Sequence, residues 1–164
     1  MMVRLISIML QIIINMKKLL IFISFIFLFT QCKEQSVNPS LSRVEENYIK
    51  WKSFGIDSYS IIQTKECFCV DRGIKAIVVV RNDKIISVED STGVVQIPQE
   101  RWQYFKTINQ LFETAIDAQK KKPANFIIEY DDNYKFPTYL YVNPSSSVID
   151  EEYAFVTSNF QPIK

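Results

Sequence analysis

From residue 42 onward, apolar positions switch between a helical period and a strand period. Val44, Tyr48 and Trp51 recur at i, i+4 and i+7, one face of a helix. Ser42 and Glu45 frame its start as a capping box, in which the serine oxygen takes the third backbone N–H and the glutamate reaches back. Gly55 is placed to end this helix in a left-handed cap. Residues 57–65 (DSYSIIQTK) then alternate and are rich in Tyr, Ile and Thr, the pattern of a strand. Gly73 marks a turn, and β-branched runs follow over residues 74–81 and 85–89. Asn82-Asp83 between them tolerates positive φ at both positions and predicts a hairpin. Residues 90–103 hold Gly93 and Pro98 and read as a long loop, packed down at its end by Trp102, Tyr104 and Phe105.

A second capping box, Thr107 with Gln110, opens the next helix. Ile108, Leu111, Phe112, Ala115 and Ile116 give its apolar face, and Pro123 stops it. Lys120, Lys121 and Lys122 at its end complement the negative pole of the helix dipole. Residues 125–131 (NFIIEYD) and 138–143 (TYLYVN) predict two paired strands with a turn over residues 132–137. Residues 145–147 form a loop, and residues 153–158 a last strand at the sheet edge. The expectation is an α+β fold in the order α-β-β-β-α-β-β-β, with two helices on one face of an antiparallel sheet of about five to six strands.

Residues 1–41 do not follow this pattern. Residues 16–32 (MKKLLIFISFIFLFTQC) place Lys17 and Lys18 before an apolar run that only Ser24 interrupts, and end on Cys32. That order predicts a secretory signal peptide. The run is shorter than the about 20 apolar residues that span a bilayer. A cysteine directly after it predicts a lipoprotein signal, with Cys32 acylated by a group such as palmitate and exposed as the mature N-terminus. Thr30 fits the small-residue preference before such a cysteine, whereas Phe29 and Gln31 depart from it. An ordinary signal peptide with a coincidental cysteine, or an uncleaved anchor, are the other readings. Met16 is the expected start, because residues 1–15 add a second apolar run that a signal peptide does not need. The expected organisation is a signal peptide over residues 1–31, a polar tether over residues 32–41 and one globular domain over residues 42–164.

Removing residues 1–31 leaves 133 residues, enough for one core. That prefix carries Arg4, Lys17 and Lys18 and no acid, so 16 basic side chains remain against 18 acidic ones, a net charge of about −2. The balance argues against nucleic acid as a partner, which calls for a basic patch. Histidine is absent, which removes the commonest general base and metal ligand. The three glycines leave no glycine-rich phosphate loop. No cofactor, no metal and no enzymatic activity are expected. The expected partners are the membrane, through lipid on Cys32, and a protein of the cell envelope.

Trp51, Asp57-Ser58-Tyr59, Cys67-x-Cys69, the Val-rich hairpin, a helix containing Phe112, Glu129-Tyr130-Asp131, Pro137-Thr138 and Tyr141-Val142-Asn143 occur in that order. The set resembles an uncharacterised family of bacterial secreted lipoproteins, a domain of unknown function, over roughly residues 48–162. The Cys-x-Cys after a Tyr-Ser strand, with the later Tyr-Asp turn and Pro-Thr, is the most specific part. Members usually carry a glycine before the aromatic residue of that turn, where Lys135 stands here. The resemblance implies the fold and an envelope location, and it carries no activity.

Two constellations remain as candidate chemistry. Once Cys32 is acylated, Cys67 and Cys69 are the two remaining thiols, and such a pair usually bridges in an oxidising compartment. Residues i and i+2 of a regular strand have Cα atoms about 6.5–7 Å apart, near the upper limit for a disulfide, so a bridge needs a bend at Phe68. A structural clip, two packed thiols and a redox pair are the open readings. A metal site is the weakest, since two thiolates lack the other ligands that zinc requires. The second constellation is aromatic. If Leu140 and Val142 face the core, Tyr139 and Tyr141 face the other way, with Tyr134 and Phe136 in the adjacent turn. Such a patch suits a protein or glycan partner, unless Tyr153 and Phe155 pack over it. The carboxylates of Asp131-Asp132 and Asp150-Glu151-Glu152 read as turn-forming neighbours rather than an acid–base pair. The expected function is therefore a membrane-tethered, non-enzymatic interaction module, and the alternative is a thiol–disulfide active protein using Cys67 and Cys69.

Overall fold

Both capping boxes form, and they set where the helices begin. Glu45 Oε2 accepts from the Ser42 N–H at 2.8 Å and Ser42 Oγ from the Glu45 N–H at 3.3 Å, opening α1 (Arg43–Ser53). Gln110 and Thr107 make the same reciprocal pair at 2.9 and 3.2 Å, opening α2 (Ile108–Lys120). Each pair satisfies N–H groups that the first helical turn leaves free. Gly55 stops α1 at a φ of 63°, where a side chain would be strained. These details come from a computed structural model that describes residues 42–69 and 72–163. The expected signal peptide, the acylation candidate Cys32 and the tether lie outside the described residues.

Six strands form one antiparallel sheet: β1 (Tyr59–Cys67), β2 (Lys75–Arg81), β3 (Lys84–Asp90), β4 (Asn125–Tyr130), β5 (Pro137–Asn143) and β6 (Tyr153–Pro162). Their spatial order is β3-β2-β1-β6-β5-β4. Asn82 and Asp83 close the β2–β3 hairpin with φ of 47° and 58°, a turn whose twist matches that of the flanking strands. The strand expected at the sheet edge is central, because β6 pairs with both β1 and β5. β6 pairs with the β1 edge of the β1–β2–β3 meander and the β5 edge of the β4–β5 hairpin, which leaves β3 and β4 at the sheet edges. The helix count also differs from the expected two. The segment read as a loop ends in a 3₁₀ helix, Gln99–Tyr104, so the described residues hold three helices. Trp102 Nε1 donates to Ile97 O at 2.8 Å, and Phe105, 4% exposed, anchors the end of this segment in the core.

Two bulges bring side chains to the face where they are used. Ile62 pairs with Ser158 and Ser60 with Gln161, so Asn159 and Phe160 together oppose Ile61. Asn159 takes a φ of 52°. The extra residue shifts the in–out alternation by one and turns Phe160 toward the core. There its ring lies 5.7 Å from Trp51 and 5.0 Å from Phe136. In β3 the register shift leaves Ile86 without a cross-strand partner, and it is 45% exposed.

The core lies between one sheet face and the helices. α2 packs on β4 and β5, and α1 on α2. Trp51 Nε1 donates to Asn109 Oδ1 at 2.9 Å inside the buried α1–α2 contact. Two β1 side chains fix the approach to α2. Tyr59 Oη accepts from the Ile108 N–H at 2.7 Å. The fully buried Gln63 donates to Lys106 O at 3.0 Å and accepts from the Lys106 N–H at 2.8 Å.

Candidate functional site

Leu140 and Val142 are buried against the helices, so period-2 geometry puts Tyr139 and Tyr141 on the opposite sheet face, each half-buried. Their cross-strand neighbours there are Val156 and Ala154 of β6, and Glu129 and Ile127 of β4. Val156 and Ile127 are 39% and 43% exposed, so this face is open beside the tyrosines. Tyr153 and Phe155 pair with Val142 and Leu140 on the helix-covered face and do not lie over the two tyrosines.

The turn before β5 separates the four aromatic candidates. Asp131 Oδ1 accepts from the N–H groups of Asn133 and Tyr134 at 2.9 and 2.7 Å, and Lys135 takes a φ of 64°. This reversal sends Phe136 inward, so it is a core residue rather than part of a binding surface. It is 2% exposed and meets Trp51 edge-on at 6.0 Å. Tyr134 packs between Phe54 at 5.3 Å and Phe160 at 4.9 Å, near the opposite end of β6 from Tyr153. Tyr139 and Tyr141 are left as the aromatic pair on the open face.

Cys67 ends β1, and the chain bends through Phe68 and Cys69. The two sulfurs are joined in a disulfide, with Cα atoms 5.2 Å apart. That separation is ordinary for a disulfide and shorter than the i, i+2 spacing of an extended strand. Phe68, between the cysteines, is 73% exposed. Because Cys67 pairs across to Tyr153 and Ala154 to Tyr141, the disulfide and the tyrosines meet at one end of the sheet. Cys67 of the bridge and the two tyrosines line a groove of about 220 Å³ with Phe68, Arg72, Glu66, Asp150 and Glu152. Burial raises the Tyr153 phenol above its ordinary value.

Along the sequence the cysteines, the tyrosines and the acidic loop are separate features. Strand order joins them, and no local signal carries that order. The burial of Gln63 and the partial burial of Lys65 and Lys106 likewise show only in the folded chain. No group of three or more cysteine or carboxylate side chains placed to hold a metal occurs among the described residues. No helix among them is long and apolar enough to cross a membrane.

No curated protein and no solved structure matches the chain. A family profile matches residues 43–162, from the first residue of α1 to the last of β6. The chain belongs to the family of unknown function DUF6174.

Proposed function

We propose that the protein is a bacterial cell-envelope lipoprotein, tethered to the membrane through Cys32, that works as a non-enzymatic binding module. The groove of Tyr139 and Tyr141 takes a protein partner. The observation that carries this reading is the two tyrosines side by side on an open sheet face, next to the exposed Phe68. Tyrosine presents a large apolar body with a polar tip and loses little side-chain entropy on ordering, which suits it to binding hot spots. Arg72, Glu66, Asp150 and Glu152 supply the polar surround that such a patch uses for orientation. The leader ending at Cys32 and the polar tether support the location, and the lack of histidine supports a non-catalytic role.

The test compares crosslinked envelopes from cells expressing the parent protein and the Tyr139→Ala, Tyr141→Ala double variant at equal levels. The partner recovered with the parent is lost with the variant. Recovery unchanged by the double substitution removes the proposed surface. Mass spectrometry of the N-terminal peptide tests the tether, and an intact leader on a cytoplasmic protein overturns it.

A second reading, thiol–disulfide exchange at Cys67 and Cys69, is favoured by the position of the bridge, whose Cys67 lines the groove. Mass-tag alkylation across a series of redox buffers distinguishes it. A bridge that persists at strongly reducing potential leaves no redox role.

A further inference from the structure

Lys65 and Lys106 form a cationic pair that no ion pair or hydrogen bond among the described residues neutralises. Lys65 continues the core-facing side of β1 beyond Gln63 and pairs with Phe155 of β6. Its ammonium lies 5.5 Å from the ring centre of Tyr104 and 5.9 Å from that of Phe155. Lys106 reaches the same Phe155 ring at 5.7 Å. Its backbone is held by the two hydrogen bonds of the buried Gln63, which fixes where its side chain leaves the main chain. A ring face attracts an ammonium but accepts no full hydrogen bond from it, so these contacts leave the N–H donors of both lysines available among the described residues.

The two lysines line a cleft of about 340 Å³ on the opposite side of the disulfide end from the tyrosine groove. Its other walls include the Cys67–Cys69 bridge, Phe68 and Tyr153. Burial lowers both lysines from their ordinary values, and each further cation nearby adds to this, as Lys65 does for Lys106. The acids that face the pair are Glu113, whose charge acts on Lys106, and Asp150, Glu151 and Glu152, which line the cleft.

We propose that this cleft binds a small organic anion, its carboxylate or phosphate oxygens held by the Lys65 and Lys106 ammonium groups and its apolar body against Phe68 and Tyr153. A compact oxyanion supplies acceptors that neither lysine finds among the described residues and is the group that forms the strongest bonds to them. The exposed acids Asp150, Glu151 and Glu152 on the cleft wall repel any anion and repel one of high charge most, so the ligand is one of low charge that sits at the lysines, away from that wall. Phe68, Tyr153, Asp150 and Glu152 line both sites, but Lys65 and Lys106 belong to this cleft and not to the groove, so the proposal stands if the partner reading fails.

The test is calorimetric titration of the full chain in non-ionic detergent with sodium benzoate, inorganic phosphate and uncharged benzyl alcohol. Benzoate binds saturably, and benzyl alcohol binds at least about tenfold more weakly. Lys65→Gln with Lys106→Gln lowers benzoate affinity by at least about tenfold. Phosphate binding that depends on the same two lysines supports the oxyanion site and locates its affinity in the head group. A second measurement uses the unsubstituted chain, so that it stands even if the double variant unfolds. Benzoate or phosphate slows acetylation of Lys65 and Lys106 several-fold and leaves the exposed Lys75 and Lys84 unaffected. Equal affinity of the folded double variant, equal binding of benzyl alcohol, or no selective protection of the two lysines overturns the proposal.

Discussion

Gln63→Met is the substitution that most directly tests how the helix layer is held on the sheet. Gln63 is fully buried on β1 and makes both of its amide bonds to one residue, accepting from the Lys106 N–H at 2.8 Å and donating to Lys106 O at 3.0 Å. Methionine keeps the volume and apolar packing, so no cavity opens. What is lost is a partner for one backbone N–H and one C=O, each left without its bond beside a half-buried residue. A buried group that loses its partner costs about 1–1.5 kcal/mol at the low end of the usual range, so the pair is worth about 2–3 kcal/mol. Unfolding entropy of about 2.1 cal/mol/K per residue over a domain of about 120 residues makes 1 kcal/mol equal to about 4 °C. The variant therefore melts about 8–12 °C below the parent. In urea, with m of about 1.5 kcal/mol/M, its midpoint falls by about 1.3–2 M at unchanged slope. Thermal melts followed by near-ultraviolet circular dichroism and urea titrations read both quantities. A variant that melts within about 2 °C of the parent would mean that water replaces both bonds, and Gln63 would then not be the clamp that places Lys106.

Three further outcomes follow from the same structure. Trp51 and Asn109 share the buried 2.9 Å bond between the helices, so a double-mutant cycle with Trp51→Phe and Asn109→Ala shows a coupling of about 1 kcal/mol, and strictly additive losses contradict that bond. Burial raises the Tyr59 phenol well above its ordinary value, with the hydrogen bond from Ile108 acting the other way. The folded chain thus retains a proton that the unfolded chain loses above about pH 10, so this contribution to stability is whole below pH 10 and declines as pH rises further. Urea unfolding between about pH 9 and 11.5 shows that decline, and Tyr59→Phe makes it shallower; equal slopes refute the assignment. The Cys67–Cys69 bridge closes a loop with one residue between the cysteines, so its loss in Cys67→Ser with Cys69→Ser lowers stability by no more than about 1.6 kcal/mol. A loss above about 3 kcal/mol by chemical denaturation would show that the bridge does more than clip the end of β1.

The features legible in the sequence are those whose partners lie within a few residues. Ser42 with Glu45, Thr107 with Gln110, the left-handed Gly55 and the Asn82-Asp83 hairpin turn all form as their spacing predicts. The apolar faces of α1 and α2 were equally readable, and Trp51, Leu111 and Phe112 are buried as their helical spacing requires. The 3₁₀ helix over Gln99–Tyr104 was not readable, because its six residues bury no side chain fully and carry no period.

The candidate site divides along the same line. Alternation along β5 sends Tyr139 and Tyr141 away from Leu140 and Val142, and three residues of sequence suffice to say so. Whether Phe136 joins them depended on Lys135 adopting positive φ, and whether Tyr153 covers them depended on which strand β6 meets. The meeting of the disulfide with the tyrosines and the placing of two lysines over Phe155 rest on β6 lying between β1 and β5. Caps, turns and amphipathic faces come from hydrogen bonds and side-chain directions set within one turn or one strand. Strand order, bulge phase and the burial of Gln63 come from backbone edges and polar groups that find their partners only after distant segments are brought together.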